Sequence, residues 1–185
     1  MRLQQRVVVP LRERPWDLVI VAFFLVNLCF VTYFVDIEQL TIANPAHFRF
    51  PLWPPRPIVE MVHAYGRRYD PLLMARPPFW KMLIWMDVLG FGPFYAVAVY
   101  AFVRGREWIR TPAIFWSGLM VTDVLVILSQ EHSGQWATPH FGIVLALNLP
   151  WLALPVAVLV RLAVAPHPFT RPAAVASRPS ASVRA

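Results

Sequence analysis

Between Met82 and Val103 the chain runs for twenty-two residues with a single charge, Asp87. A helix of that length rises roughly 33 Å, enough to cross the hydrocarbon core of a bilayer. An aspartate inside such a segment costs about 2.5–3.5 kcal/mol on insertion scales, so it is expected to face protein and a partner rather than lipid. The run stops at Arg104, Arg106 and Arg110, and a new apolar segment starts at once. The pattern predicts two membrane helices joined by a short basic hinge.

Two further apolar segments accompany this pair. Leu18–Val35 is eighteen uncharged residues, with Asp36 and Glu38 read as its end; it is longer than the apolar part of a signal peptide and no small-residue cleavage pattern follows. Thr111-Pro112 has the cap-plus-proline form of a helix start, for a third helix running to about Gln130. Glu131–Pro139 is a short polar turn, and about His140–Val160 is a fourth helix. The connection Gln39–Pro78 carries Pro45, Pro51, Pro54, Pro55 and Pro57, which forbid one continuous helix. Within it a short helix is expected over Arg56–Arg68, and Asp70-Pro71 reads as the N-cap and first position of another. A structureless connection of that length is unusual in a compact protein, so it is expected to cap something. The chain thus divides into an N-terminal segment (1–16), a four-helix membrane domain (17–163) and a Pro/Ala/Ser/Arg tail (164–185) expected to be disordered.

Composition and charge agree. Hydrophobic residues make up 58% of the chain and charged ones 15%, against about 45–50% apolar in an ordinary soluble domain. The net charge of +7 is nearly all arginine, sixteen against one lysine. These arginines lie between and beyond the apolar runs rather than on one soluble face, so nucleic acid is not the expected partner and the bilayer is. Eleven of them fall in the N-terminal segment, the hinge and the tail, and five with Lys81 in the long connection. By the positive-inside rule both termini are then cytoplasmic. The one cysteine, Cys29, provides no disulfide framework. No HxxxH or HExxH spacing exists among the five histidines, so neither a metal site nor a cofactor is expected.

Counting residues along the helices gives depths. Asp36 stands at the non-cytoplasmic end of the first helix, with Asp87 roughly 8 Å, Asn148 about 12 Å and Asp123 roughly 12–14 Å below that surface. Each of the four helices therefore contributes a polar group to the same half of the bilayer. Trp151 shares a helix face with Asn148, and Thr32 one with Asp36. Apolar walls with a few convergent polar groups describe a ligand pocket. Taken singly, these residues keep plainer readings: Asp36 as an interfacial residue closing its helix, Asp87 and Asn148 as helix–helix hydrogen-bonding groups, Asp123 as part of a buried polar network, and Trp151 as packing.

Taken together they resemble a known family. Trp108-Ile109-Arg110-Thr111-Pro112-Ala113-Ile114, with Asp70-Pro71-Leu72-Leu73 upstream, is similar to the sigma-2 receptor branch of the EXPERA-domain proteins. Asp123-Val124-Leu125, Glu131-His132, and Asn148 with Trp151 and Leu154-Pro155 resemble the last two helices of the emopamil-binding-protein branch, the sterol Δ8–Δ7 isomerases. The resemblance covers about Trp16 to Leu162. It implies an all-α integral membrane protein whose four transmembrane helices form a bundle around a pocket open sideways to lipid. The implied ligands are sterols and other hydrophobic or cationic amphiphilic molecules. On this pattern Asp36 matches the acid that pairs with a ligand's ammonium, Asp87 the acid of the second helix, Asp70 a structural aspartate, and Asn148 and Trp151 isomerase pocket residues. One departure stands out: Thr32 occupies the position where the isomerase has histidine.

Three functions follow as expectations. The first is a sigma-2-like protein that binds sterols or hydrophobic amines. The second is an isomerase shifting a double bond in a sterol or terpenoid through a carbocation, with Asp36 and Asp87 as catalytic acid and base. The third is a membrane protein that works through protein partners alone, in which Asp36 and Asp87 are dispensable. The family leaves a homodimer open, although no dimer motif is visible. It implies the endoplasmic reticulum for a eukaryotic source and the cytoplasmic membrane for a bacterial one.

Overall fold

Proline marks the helix starts in this chain. In the computed structural model, which describes residues 6–173, Pro15, Pro71 and Pro78 each take the first position of a helix. There the missing N–H breaks no intrahelical bond. The elements are β1 (Arg6–Val8), α1 (Pro15–Thr41), α2 (Arg56–Tyr69), α3 (Pro71–Ala75), α4 (Pro78–Arg104), α5 (Glu107–Ser133), α6 (Phe141–Val164) and β2 (Thr170–Pro172). Four of them, α1, α4, α5 and α6, are long and apolar enough to cross a membrane. Their outer faces leave Leu25, Leu89, Phe115 and Leu149 exposed, as a lipid-facing surface requires. The fold is an all-α integral membrane bundle.

Several boundaries differ from the sequence reading. Asp36 and Glu38 do not end the first helix, which continues to Thr41; both acids are buried on its inner side, so neither behaves as an interfacial stop. The second spanning helix starts at Pro78, four residues before the apolar run. The third needs no threonine cap: a 3-10 turn over Glu107–Ile109 feeds directly into helix from Arg110. Thr111 and Pro112 are exposed in its first turn, without a capping side-chain bond. The tail is ordered at its start. β2 pairs antiparallel with β1, Val7 opposite Arg171, so part of the expected disordered segment closes a clasp with the N-terminal segment; residues 174–185 lie outside the described residues.

The hinge between α4 and α5 depends on Gly105. It sits at φ 62°, where a side chain is strained, and a Cβ there would stand 2.5 Å from Val8. The Arg106 N–H returns to Ala101 O at 2.8 Å and closes the helix end. The terminal clasp packs on this turn. Buried ions tie it to the bundle: Asp17 accepts from Arg14 and from Arg161 (Nη2, 2.8 Å), joining the starts of α1 and the end of α6. Arg14 also donates to Phe102 O at 2.8 Å.

The interior has two unlike halves. Toward the clasp it is filled by a contiguous aromatic core of Phe24, Tyr95, Phe102 and Trp116, with Phe94 stacked on Trp116. Toward the opposite end, α2 and α3 lie across the bundle, packing Val62, Leu72 and Leu73 on Trp80, Ile84 and Val88. The long connection is therefore a roof. Between roof and aromatic core lies a cavity.

Candidate functional site: an acidic cavity under the roof

The cavity encloses about 430 Å³ and draws its walls from α1, α2, α4, α5 and α6, with Asp70 and Leu73 from the roof. Five of the residues singled out from sequence line it: Asp36, Asp87, Asp123, Asn148 and Trp151. Thr32 does not line it but is buried just behind, donating its hydroxyl to Asp87 Oδ1 at 2.5 Å. Asp70, expected to be structural, also lines the cavity while its Oδ1 caps α3 by accepting the Leu73 N–H at 2.7 Å. Thr111 and Pro112 are at the other end of the molecule and take no part. Two lining residues, Met61 of α2 and Leu147 of α6, are also about half exposed.

Local backbone geometry places the acids. Both α1 and α4 widen to π geometry here, over Asn27–Asp36 and Asp87–Phe91. In α4 the cause is visible: Pro93 has no N–H to return to the preceding turn, and the wider turn before it accommodates that loss. Gly92 follows, and a Cβ at this point would stand 2.9 Å from both Thr32 Cγ2 and the Tyr33 hydroxyl. Its absence lets α1 and α4 approach closely enough for Thr32 to reach Asp87.

The electrostatics of the cavity are one-sided. No Lys, Arg or His is among the lining residues. Among the described residues, Asp36, Asp70, Asp87 and Asp123 form no salt bridge. Asp70 is the one of these outside the spanning segments; burial pushes its carboxyl above the ordinary carboxylate range, partly offset by the Leu73 and Leu72 amides that face it. The floor is held rigidly. Trp151 donates its indole N–H to Asn27 Oδ1 at 2.8 Å, and Asn27 Nδ2 donates to Phe23 O at 2.8 Å. Phe23 meets the indole edge-on. With its N–H taken, Trp151 offers the cavity a fixed aromatic face, the surface that attracts cations. Asn148 Nδ2 bonds Val144 O in its own helix, leaving its carbonyl oxygen for the cavity.

Sequence reasoning missed several residues of this region. Asn27 lay inside an uncharged run and gave no signal beyond being an amide in an apolar segment. Glu38 was read as a helix end. It is instead 0% exposed, bonded by Arg76 Nη2 (2.7 Å to Oε2, 3.0 Å to Oε1), with His63 Nε2 2.8 Å from Oε1. Arg76 goes on to the Ile42 carbonyl at 2.6 Å, so this ion cluster fastens the roof to α1.

Comparison with known proteins identifies the family. The model of the EXPERA family, the expanded EBP superfamily, matches residues 57–162. A sigma intracellular receptor 2 from Xenopus tropicalis is 29% identical over 126 residues, covering 61% of this chain and 72% of that protein. Those from Macaca fascicularis and Homo sapiens are each 31% identical over 103 residues, covering 54% of this chain. The match spans about half the length of these two relatives, 53%.

Proposed function

We propose that this chain, which belongs to the EXPERA family, the expanded EBP superfamily, binds sterols or hydrophobic amines in the acidic cavity as a sigma-2-receptor-like membrane protein. The observation that carries this reading is the company of the acids. Asp36, Asp87 and Asp123 share one apolar-walled space with no protein cation in it. A buried carboxylate without a counter-charge is costly, and is relieved by a proton or by a ligand cation. A hydrophobic amine provides the cation, and its apolar body matches the walls. The exposed lining residues Met61 and Leu147 are assigned to the entrance for such a molecule from the bilayer, where it already concentrates.

Asp36 is the buried member nearest the roof and is assigned to the ligand's ammonium. Asp87, steadied by Thr32, shares the charge, and Asp123 bounds the space from α5. Trp151 faces the ligand with its ring, and Asn148 with its carbonyl oxygen. The paired terminal strands put both ends of the described chain on one face of the bundle, and the arginine distribution supports that face being cytoplasmic.

The test is binding of N,N-dimethyldodecylamine to wild type, Asp36→Asn and Asp87→Asn in lipid nanodiscs. Saturable binding by wild type and at least tenfold weaker binding by both variants is the expected result. Equal binding by all three, or by none, would make the acids helix-packing groups and sink the reading.

A second reading has its own support in the facing acids of α1 and α4 above an anchored indole. In a double-bond isomerase one acid delivers a proton to an alkene carbon, and the resulting cation is held against the second carboxylate and the Trp151 face. Loss of a proton from the far side of the cation then forms the new double bond, with no other reactant consumed. Thr32 donates to Asp87 but cannot take the part of an imidazole base. Incubating the purified protein with a Δ8-sterol decides: a shifted double bond establishes turnover, and saturable binding with no product leaves the binding protein.

A further inference from the structure

Outside the cavity, at the same end of the molecule, the charge is reversed. A groove of about 640 Å³ lies between the end of α2, the start of α3 and the turn that leads into α6. Arg67, Arg68 and His140 line it, with further surface from Tyr69, Pro71 and Met74. The Arg68 guanidinium stands 5.2 Å from the centre of the Tyr69 ring, and that ring meets His140 edge-on at 5.4 Å. Buried Thr138 pins the two sides together: its hydroxyl donates to Tyr69 O at 2.8 Å and accepts the His140 N–H at 3.1 Å. The groove is thus held by the fold, not left between loose turns.

Its arginines have no acid to hold them. Among the described residues neither Arg67 nor Arg68 forms a salt bridge, whereas Arg56 at the other end of α2 pairs with Glu60. Arg67 Nη2 lies 3.3 Å from His63 Nδ1, a contact that leaves its charge uncompensated. The acid among the lining residues is Asp70, which is buried and has given Oδ1 to the Leu73 N–H. His140 immediately precedes the spanning helix α6, so the groove stands where a span begins, at the level of lipid headgroups. We propose that this groove binds the phosphate of an anionic phospholipid from the leaflet on the roof side. Guanidinium groups suit a phosphate, whose oxygens accept paired N–H bonds. The groove is much larger than a bare phosphate ion, and Pro71, Met74 and the Tyr69 ring offer apolar surface to the glycerol and the first chain carbons. A zwitterionic headgroup would bring its own ammonium against the second guanidinium, so the anionic lipid is preferred.

The experiment is native mass spectrometry of the detergent-solubilised protein with equal amounts of dioleoylphosphatidylglycerol and dioleoylphosphatidylcholine. Wild type is compared with Arg67→Gln, Arg68→Gln and Arg49→Gln, the last an exposed arginine of the same connection that does not line the groove. The readout is the ratio of the two lipids bound. Wild type is expected to prefer phosphatidylglycerol about tenfold, the worth of one charge-assisted contact. Each groove variant is expected to lower that preference severalfold, and Arg49→Gln to leave it unchanged. Arg67 also touches His63 beside the buried Glu38, so Arg68→Gln, which leaves that contact in place, keeps the test independent of stability. Three results overturn the proposal: a wild-type ratio at or below one, a preference that neither groove variant lowers, or one that Arg49→Gln lowers equally. The last would make it a property of the positive surface as a whole. Repeating the wild-type measurement in millimolar inorganic phosphate separates the two sources of the anion. A preference that survives supports the lipid, and one that disappears assigns the groove to soluble phosphates and overturns the lipid.

Discussion

Asp36 and Glu38 lie two residues apart on α1, both buried, and their surroundings are opposite. Glu38 is enclosed by cations, with Arg76 bidentate on its carboxylate and His63 beside it. Asp36 faces a cavity in which the other ionisable groups are acids and a tyrosine. At the far end of the molecule Asp17 repeats the first arrangement, between Arg14 and Arg161. Where charge serves to join elements, the chain supplies its own counter-ions. Where it withholds them, as around Asp36, the acid is left to the cation of the ligand proposed above. The contrast also excludes a general shortage of arginine as the reason the cavity is acidic, since Arg76 is placed two residues' distance along α1 from Asp36.

The largest predicted effect breaks the paired side. Removing Arg76 (Arg76→Ala) leaves Glu38 buried without its main partner, and loss of one member of a buried pair costs about 3–5 kcal/mol. The expected result is a large drop in melting temperature in detergent, with poor yield. Replacing both partners by apolar residues, Glu38→Leu with Arg76→Met, is expected to recover much of the loss. A double variant no better than the single would mean that the Arg76 bond to Ile42 O, rather than the ion pair, fastens the roof.

The next effect separates the two helices on which the unpaired acids stand. Gly92→Ala puts a methyl group 2.9 Å from Thr32 and Tyr33, and overpacking of this kind costs about 1–3 kcal/mol. Thr32 is thereby pushed off Asp87, so amine binding is expected to weaken along with stability. Unchanged binding in a destabilised Gly92→Ala protein would detach the Thr32–Asp87 bond from the function.

The sharpest test of the comparison is the unpaired side itself. Asp87→Asn removes a buried charge that no protein cation neutralises, so melting temperature is expected to hold or rise while amine affinity falls at least tenfold, about 1.4 kcal/mol. Glu38→Gln should do the reverse, lowering stability strongly. If both substitutions destabilise alike, the distinction between joining acids and waiting acids fails.

How much of this was legible in the sequence follows the same divide. Spans are fixed by runs of apolar residues, and depth by counting along a helix, so the gathering of Asp36, Asp87, Asp123 and Asn148 in one half of the bilayer could be read directly. The direction in which each faces was not given by counting, and the π turns at Asn27–Asp36 shift it further. The paired acids were illegible because their partners are remote: Arg76 is 38 residues from Glu38, and Arg161 is 144 from Asp17. A charge beside an apolar run looks like a helix end until the distant cation is in place. The same holds for Asn27, whose role depends on Trp151, 124 residues on. The tail misread has a related cause, since β2 is ordered by β1 and by Glu107, which accepts from the Thr170 hydroxyl at 2.7 Å, not by anything in its own composition.

Asp70 stands between the two classes, and the smallest predicted effect tests it. It caps α3 through the Leu73 N–H, as a joining residue does, yet it lines the cavity without a cation. Burial raises its carboxyl above the ordinary value, which has a definite consequence for stability against pH. A carboxyl with a raised native value holds its proton in the folded state over a range where the unfolded chain has lost it. Folding is then most favoured at low pH and loses stability as pH rises from the usual carboxylate value, about 3.9, through the native one. Asn in its place keeps an oxygen for the Leu73 N–H and cannot ionise. Asp70→Asn is therefore expected to lose part of the decline in melting temperature across that range, so that the variant gains on wild type as pH rises through it. The opposite trend, with wild type gaining toward neutral pH, would mean that the amides of the cap outweigh burial. Asp70 would then belong with Glu38 and Asp17 as an acid that joins elements.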